Sequence, residues 1–291
     1  DGVRVAEENF SVSGMSPAIP LDLNLSDQLF RYGIRINPII LQDVQCAQMP
    51  VNVAESGETP HFEPLPWFFA PLLLTSNAHP ITRNIPPVRS EFCSNIDLVG
   101  ENKQVSAVLL LATSDNTHII GTPTNIDLRE MPSASDKNYF NTGYVPVGVL
   151  LEGSFESVFA NRMLPDSVMN ISKIRSRSVN TRQIFVADGD IIKNEISIVP
   201  GDSAALPLGF DRFTGLQYGN KDFIENAVLY LADEDGWMQL KNKNFKLRLL
   251  NKQIVLDQKL KWQLINVLFP LVIFVLFGVV FQLVRKRKYL R

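Results

Sequence analysis

One long uncharged stretch constrains the fold of this 291-residue chain more than any other feature. From Trp262 to Val284, 23 residues pass without an ionisable side chain. As an α-helix this segment would be about 35 Å long at about 1.5 Å per residue, more than the roughly 30 Å of a bilayer's hydrocarbon core. Buried helices of soluble proteins are rarely this long, and they keep a polar stripe that this segment lacks. The sequence therefore predicts one transmembrane helix over residues 262–284.

The flanks of this segment predict how it is anchored and oriented. An interfacial tryptophan lies at one end and a basic run at the other, and membrane helices tolerate the proline and the glycine between them. The predicted anchor residues are Trp262, Pro270, Gly278, Arg285, Lys286, Arg287 and Lys288. The positive-inside rule places the tail 285–291 in the cytoplasm, where we expect its side chains to meet lipid headgroups. The body of the chain then lies on the outer side.

The near-neutral net charge of −2 hides two unlike parts. The tail 285–291 carries five positive charges and no negative one, so −7 remains on residues 1–284. A chain that is 45% hydrophobic is not disordered, and the absence of a basic excess argues against nucleic-acid binding. The chain opens at Asp1 without a leader, yet an outward-facing body must be exported. We therefore expect this chain to be the C-terminal part of a longer protein.

The body has the pattern of an α/β protein. Val105–Ala112 and Val145–Glu152 contain runs that are apolar on both faces, which predicts central, covered strands. The strongest helical pattern covers Asn220–Asp233, and Leu21–Gly33 reads as a shorter helix. Short β-like runs follow one another closely over residues 34–155. This order favours an α/β architecture with a β-rich insertion over an all-β sandwich.

The motifs of common catalytic and nucleotide-binding sites are missing from the sequence. It has no P-loop and no G-x-G-x-x-G, so we expect no ATP to be bound by this chain. It also lacks a G-x-S-x-G elbow. The three histidines lie far apart, with no H-E-x-x-H and no C-x-x-C, so no metal centre is predicted from them. We expect no catalytic residue, no cofactor and no metal.

One carboxylate cluster nevertheless lies where ligands often bind. Asp188 and Asp190 follow a buried-strand candidate, and open α/β sheets bind ligands beyond the ends of their strands. The candidate ligand-binding residues are Asp188, Asp190, Asn220 and Asp222. A turn-forming and capping role for the two aspartates remains the other interpretation. If Asp188 or Asp190 held a metal, the chain would instead be a membrane-tethered hydrolase with its catalytic body outside the cell.

The two cysteines leave two alternatives open. Cys46 and Cys93 are 47 residues apart. Outside the cytoplasm they could form a disulfide, which would contribute about 2–4 kcal/mol to stability. Otherwise they are two buried thiols, since the spacing alone does not show whether their Cα atoms come within bonding reach.

Seven segments of the chain occur in a characteristic order, which is DVQCAQMPV, PLPWFFAPLL, HPITRNIPPV, VLLEGSFESVFANR, IFVADGD, GFDRFTGLQYGNKDFIENAVLYLADEDG and KLRLLNKQIV. In this order they resemble the GldG family, the gliding-motility-associated auxiliary subunits of Bacteroidetes ABC transporters. The likeness runs from Asp1 to the basic tail.

The resemblance implies a periplasmic auxiliary domain over residues 1–252, a juxtamembrane linker over 253–261 and an inner-membrane helix over 262–284. The implied fold is Rossmann-like, akin to class I glutamine amidotransferase-like domains, with its N-terminal part missing from this chain. The implied partners are a permease and a cytoplasmic ATPase, with a role in gliding motility and secretion.

No ligand or catalytic residue is carried over from the family. The amidotransferase-like enzymes use a nucleophilic cysteine with a histidine partner. Cys46 and Cys93 lie in strand-like, uncharged surroundings, so the resemblance implies a non-enzymatic use of the fold.

Overall fold

The computed structural model describes seven parts of the chain, which are residues 1–54, 59–100, 104–160, 162, 175–199, 202–238 and 258–289. They belong to two compact units, Asp1–Asn242 and Lys243–Arg291. Strands dominate the described part of the first unit, and one long helix makes up most of the described part of the second.

Fifteen strands and three α-helices are described in the first unit. The strands are β1 (Val3–Val5), β2 (Met15–Pro20), β3 (Ile34–Ile36), β4 (Ile39–Asp43), β5 (Cys46–Asn52), β6 (Phe62–Thr75), β7 (Val88–Arg89), β8 (Ile96–Leu98), β9 (Val105–Ala112), β10 (Thr117–Gly121), β11 (Thr124–Asp127), β12 (Pro146–Gly153), β13 (Thr181–Val186), β14 (Ile196–Val199) and β15 (Asp202–Ala205). The helices are α1 (Glu8–Ser13), α2 (Ser26–Tyr32) and α3 (Asn220–Ala232). Short 3₁₀ turns cover Leu128–Glu130 and Asp190–Ile192.

The largest sheet has the strand order β13-β12-β9-β6-β5, and β7 pairs with β6 beside it. The two predicted central strands, β9 and β12, occupy central positions. β12 is buried from Val147 to Leu151, as predicted. β9 is only partly covered, because Leu110 and Leu111 are buried while Leu109 is 45% exposed. The sequence prediction of a covered strand thus holds fully for β12 and in part for β9.

Strand direction does not confirm the Rossmann-like expectation. Every strand pairing among the described residues is antiparallel. A Rossmann-like sheet is mostly parallel, with a helix crossing over between successive strands. The described body is instead a mixed α/β structure in which strands dominate and the main sheet is curled.

The long strand β6 joins the edge of the sheet to its centre. Its first five residues are exposed and pair with β5, whereas the segment from Trp67 to Ala70 is buried. Leu72 and Leu73 then pair with β7, and Leu74 and Thr75 pair with β9. Residues 55–58, between β5 and β6, lie outside the described residues.

Two apolar clusters lie on the sheets. The larger one combines leucines of β6, β9 and β12 with Phe223 and Ala227 of α3. The smaller one is aromatic and centres on Trp67, Phe69 and Phe92, whose ring centroids lie 5.0–6.0 Å apart. Burying one such side chain contributes about 1.5–3 kcal/mol, so these clusters hold the sheets and α3 together.

The second unit contains α4 (Lys259–Tyr289), which continues through Pro270. It is long and apolar enough to cross a membrane, and all of its described side chains are exposed. The predicted span 262–284 lies inside it, and Arg285–Lys288 form part of its last turns. The helix begins at Lys259, within the segment that the sequence assigns to a linker, and residues 253–257 lie outside the described part of the chain.

Candidate functional site

The turn after β13 places Asp188 in the interior. Asp188 is only 2% exposed. One carboxylate oxygen accepts a hydrogen bond from the backbone N–H of Glu91 at 2.9 Å, and the other accepts one from the N–H of Asp190 at 2.8 Å. Burial raises the pKa of Asp188 to about 7. Asp188 therefore joins two chain segments and shows the structural role that the sequence left open.

Asn220, the first residue of α3, is likewise occupied by contacts within the chain. Its Oδ1 accepts from the backbone N–H of Arg89 at 2.9 Å. Its Nδ2 donates to the carbonyl oxygens of Arg89 and Ile191, at 2.8 and 3.1 Å. The residue is 3% exposed, so this amide ties α3 to β7 and to the 3₁₀ turn.

Asp190 points into a small cavity that contains two further carboxylates. Glu7, Glu91 and Asp190 each offer an oxygen within 4.8 Å of the other two. The cavity has a volume of about 270 Å³, and Asn220 also lines it. Oxygen ligands at this spacing are the type that hard divalent cations prefer. Two of the four predicted ligand residues thus reach one cavity, whereas Asp222 is exposed on α3 and is not among the lining residues.

A lysine already supplies positive charge to this cluster. The Lys193 ammonium lies 3.4 Å from Asp190 Oδ1 and 3.6 Å from Glu7 Oε1. Burial alone would lower the pKa of Lys193, but the carboxylates of Asp190, Glu7 and Glu91 outweigh it and raise that pKa. Lys193 is therefore charged at neutral pH and acts as a counter-ion for these carboxylates.

Two arginines lie near the carboxylate of Glu195, which also lines the cavity and whose buried Oε2 accepts no hydrogen bond from a described residue. Arg89 Nη1 lies 2.8 Å from Glu195 Oε1, and Arg212 Nε lies 3.8 Å from Glu195 Oε2. Burial and the nearby charge of Glu7 raise the pKa of Glu91, which keeps its carboxyl easier to protonate than usual. The cations near the cavity are Lys193, Arg89 and Arg212, and the carboxylates are Glu7, Glu91, Asp190 and Glu195. Most of the negative charge near the cavity is therefore neutralised by side chains of the same chain.

The structure records both cysteines as free thiols. Cys46 is half-buried and Cys93 is fully buried, and a disulfide between them stays a prediction. Burial raises the pKa of Cys46 to about 12 and raises that of Cys93 as well. Among the described contacts, Cys93 Sγ accepts from Ser90 Oγ at 3.6 Å and neither thiol hydrogen-bonds to a histidine. Neither thiol has the surroundings of a nucleophile, since the reactive form is the thiolate.

Three residues that line the cavity were not predicted from the sequence, namely Glu7, Glu91 and Lys193. They come from the start of α1, from the segment after β7 and from the end of a 3₁₀ turn, so no local spacing links them. The only local signal was the aspartate pair after β13, which identified one edge of the cavity.

The family model described as "ABC-type uncharacterized transport system" matches residues 1–227. The chain belongs to this family. It is an auxiliary component of an ABC-type transport system, in agreement with the coarse form of the sequence prediction. No curated protein and no solved structure is similar enough to this chain to count as a match.

The buried carboxyl of Asp188 predicts how the stability of this ABC-transport component depends on pH. Its pKa of about 7 exceeds the ordinary 3.8, so the folded state binds its proton more tightly than the unfolded state. This contribution is complete below about pH 4 and is lost as the pH rises through 7. Each pKa unit corresponds to about 1.4 kcal/mol, so the loss is about 4 kcal/mol.

Asp188→Asn should remove this loss of stability at higher pH, because an amide does not titrate. We expect the free energy of unfolding, measured by denaturant titration of the full chain in detergent at pH 4 and pH 8, to vary less in this variant than in the wild type. The matched control is the exposed Asp222, whose replacement by asparagine should leave the pH dependence unchanged. Equal pH dependence in the wild type and Asp188→Asn would contradict the assignment.

Proposed function

We propose that this chain is a non-enzymatic, membrane-anchored auxiliary subunit of an ABC transporter. In this proposal residues 1–252 form a periplasmic body, α4 crosses the inner membrane and contacts the permease, and the tail 285–291 lies in the cytoplasm. The single observation that carries the proposal is family membership over residues 1–227 in a chain that ends in an exposed, apolar 31-residue helix.

The different roles of the subunits in an ABC transporter support this assignment. This sequence has no P-loop, so we assign ATP hydrolysis to a separate cytoplasmic ATPase. The described residues contain one helix of membrane-spanning length, so we assign the transport path to a multi-spanning permease. The likeness of the seven segments to the GldG family further supports a role in gliding motility and secretion in a Bacteroidetes envelope. The body is then free to engage an envelope partner or the transported substrate.

The contacts within the body support a role without catalysis. Asp188 and Asn220 are committed to backbone hydrogen bonds, and Lys193 neutralises the carboxylates that face the cavity. General acid–base or nucleophilic catalysis needs a group within reach of a substrate and in the right protonation state. Cys46 and Cys93 do not meet this condition, because burial keeps both thiols protonated.

Co-purification from mild detergent tests the proposal directly. We expect the tagged full-length protein to retain a multi-spanning permease and an ATPase. The matched control replaces residues 262–284 with an unrelated transmembrane helix of equal length, which keeps the anchor but changes its contact surface. This variant should lose most of the permease. Recovery of neither subunit with the wild-type protein would contradict the proposal.

A membrane-tethered hydrolase with a metal at Asp188 or Asp190 is the second candidate function. The observation that favours it is the approach of Asp190 to Glu7 and Glu91. The Lys193 ammonium beside the same oxygens opposes it, because two cations would repel each other there.

Metal analysis separates the two functions. We expect the purified chain, dialysed against Mg²⁺, Ca²⁺, Mn²⁺ or Zn²⁺, to retain no stoichiometric metal. Lys193→Met should increase the retention of metal, because it removes the internal counter-ion and leaves the carboxylates in place. One metal ion per wild-type chain, lost in Asp190→Asn together with a hydrolytic activity, would establish the second candidate and overturn the first.

A further inference from the structure

Strand β10 has a free hydrogen-bonding edge. On one side it pairs with β4 over five residues. Thr117 instead exchanges backbone hydrogen bonds with Thr142, at 2.8 and 3.0 Å, so its N–H and C=O point away from β4. Because these directions alternate along an antiparallel strand, the N–H and C=O groups of Ile119 and Gly121 point the same way. In the described part of the chain no group hydrogen-bonds to them from that side.

No described residue pairs with the outer edge of the next strand, β11. It pairs with β2, and the N–H of Leu128 just beyond it continues that ladder by donating to Gly14. By the same alternation, the backbone groups of Asn125 and Asp127 point away from β2. Opposite Asn125 lies Pro17, which has no N–H to donate, in agreement with this register.

These two edges line one groove, which we call the β10 groove. It has a volume of about 370 Å³, within the range of small ligand sites, and residues of both strand edges line it. Gln42 also lines it, although this residue is only 2% exposed. The Gln42 Oε1 accepts a hydrogen bond from the Tyr139 hydroxyl at 2.8 Å, and no described residue accepts one from its Nε2. The groove thus contains a buried amide with donor capacity to spare.

The other lining groups define the chemistry of an occupant. The His118 ring stacks on the Tyr139 ring with centroids 3.8 Å apart, and both line the groove. The lining carboxylates are Asp127 and Glu130, and no lysine or arginine is among the described lining residues. Asp127 is already paired with Arg129 at 2.7 Å, whereas Glu130 has no ion pair in the described part of the chain. The groove is therefore complementary to a positive charge near an aromatic surface.

We propose that the β10 groove binds an extended segment of a partner protein, which pairs with the free edge of β10 and places a lysine or arginine side chain near Glu130. Backbone pairing with Ile119 and Gly121 supplies affinity in this form of recognition, and the side-chain contacts supply specificity. The Gln42 amide donates to a carbonyl oxygen of the segment. This inference goes beyond the proposed function, because the groove binds such a segment whether or not α4 contacts a permease.

Selection of peptides on the intact protein tests the inference. A library of linear decapeptides is displayed on phage and selected on the full chain in detergent micelles. The enriched peptides are then synthesised with a fluorophore, and their dissociation constants are measured by fluorescence polarisation. We expect enriched sequences to share a lysine or arginine. Methylation of alternate peptide nitrogens should weaken binding about tenfold or more, because each lost hydrogen bond is worth about 1 kcal/mol.

Two variants and one control locate the binding. Ile119→Pro removes an outward N–H and keeps the ladder with β4, as proline is tolerated at such edge positions, and it should weaken binding about tenfold. Glu130→Lys reverses the unpaired charge and should also weaken binding about tenfold. Glu234→Lys makes the same charge change at an exposed residue outside the groove and should leave the dissociation constant within about twofold.

Each other outcome overturns the inference. This holds if no peptide is enriched, if the enriched peptides lack a basic residue, or if Glu130→Lys binds as tightly as Glu234→Lys. If Ile119→Pro lowers the melting temperature, Glu130→Lys and the methylated peptides still decide. Dimerisation of the chain that Glu130→Lys abolishes, without peptide binding, would assign the groove to a second copy and also overturn it.

Discussion

The proposed membrane topology of the body and the tail depends on the apolar surface of α4. Its described side chains are all exposed, and the segment from Trp262 to Val284 contains no charge to hold it in water. A lipid bilayer suits such a surface, since a helix satisfies its own backbone hydrogen bonds in an apolar medium. In the proposed topology, the −7 of residues 1–284 and the five positive charges of the tail lie on opposite sides of the membrane.

Most charged groups around the cavity of the body contact other groups of the same chain. Asp188 binds two backbone N–H groups, Lys193 neutralises Asp190 and Glu7, and Arg89 pairs with Glu195. Asp188 is buried, whereas Lys193 and Glu7 are exposed, so these pairs link chain segments at the edge of the cavity. Among the described residues, spare hydrogen-bonding capacity lies at Glu195 Oε2 and at the strand edge formed by the backbone of Ile119 and Gly121. This distribution agrees with the proposal that the body acts by binding.

Local patterns predicted the elements well but not their assembly. β9 has the predicted bounds, and α3 ends one residue before the prediction. Gly33, at φ +99°, ends α2 as predicted, because only a residue without a Cβ adopts this conformation without strain. An apolar run does not encode strand direction, so the antiparallel sheet could not be derived. The same limit applies to the site, because Glu7, Glu91 and Lys193 approach Asp190 only through long-range folding.

Labelling of introduced cysteines in living cells tests whether α4 crosses the inner membrane with the body outside the cytoplasm. Two single-cysteine variants, Trp237→Cys and Lys288→Cys, are made in a chain whose Cys46 and Cys93 are replaced by alanine. Intact cells are treated with a maleimide that does not cross the inner membrane, and Trp237 is a suitable position because it is 68% exposed. With the body outside the cytoplasm and the tail inside it, we expect labelling at position 237 in intact cells and at position 288 only after permeabilisation. Labelling of position 288 in intact cells, or release of the chain from membranes without detergent, would contradict it.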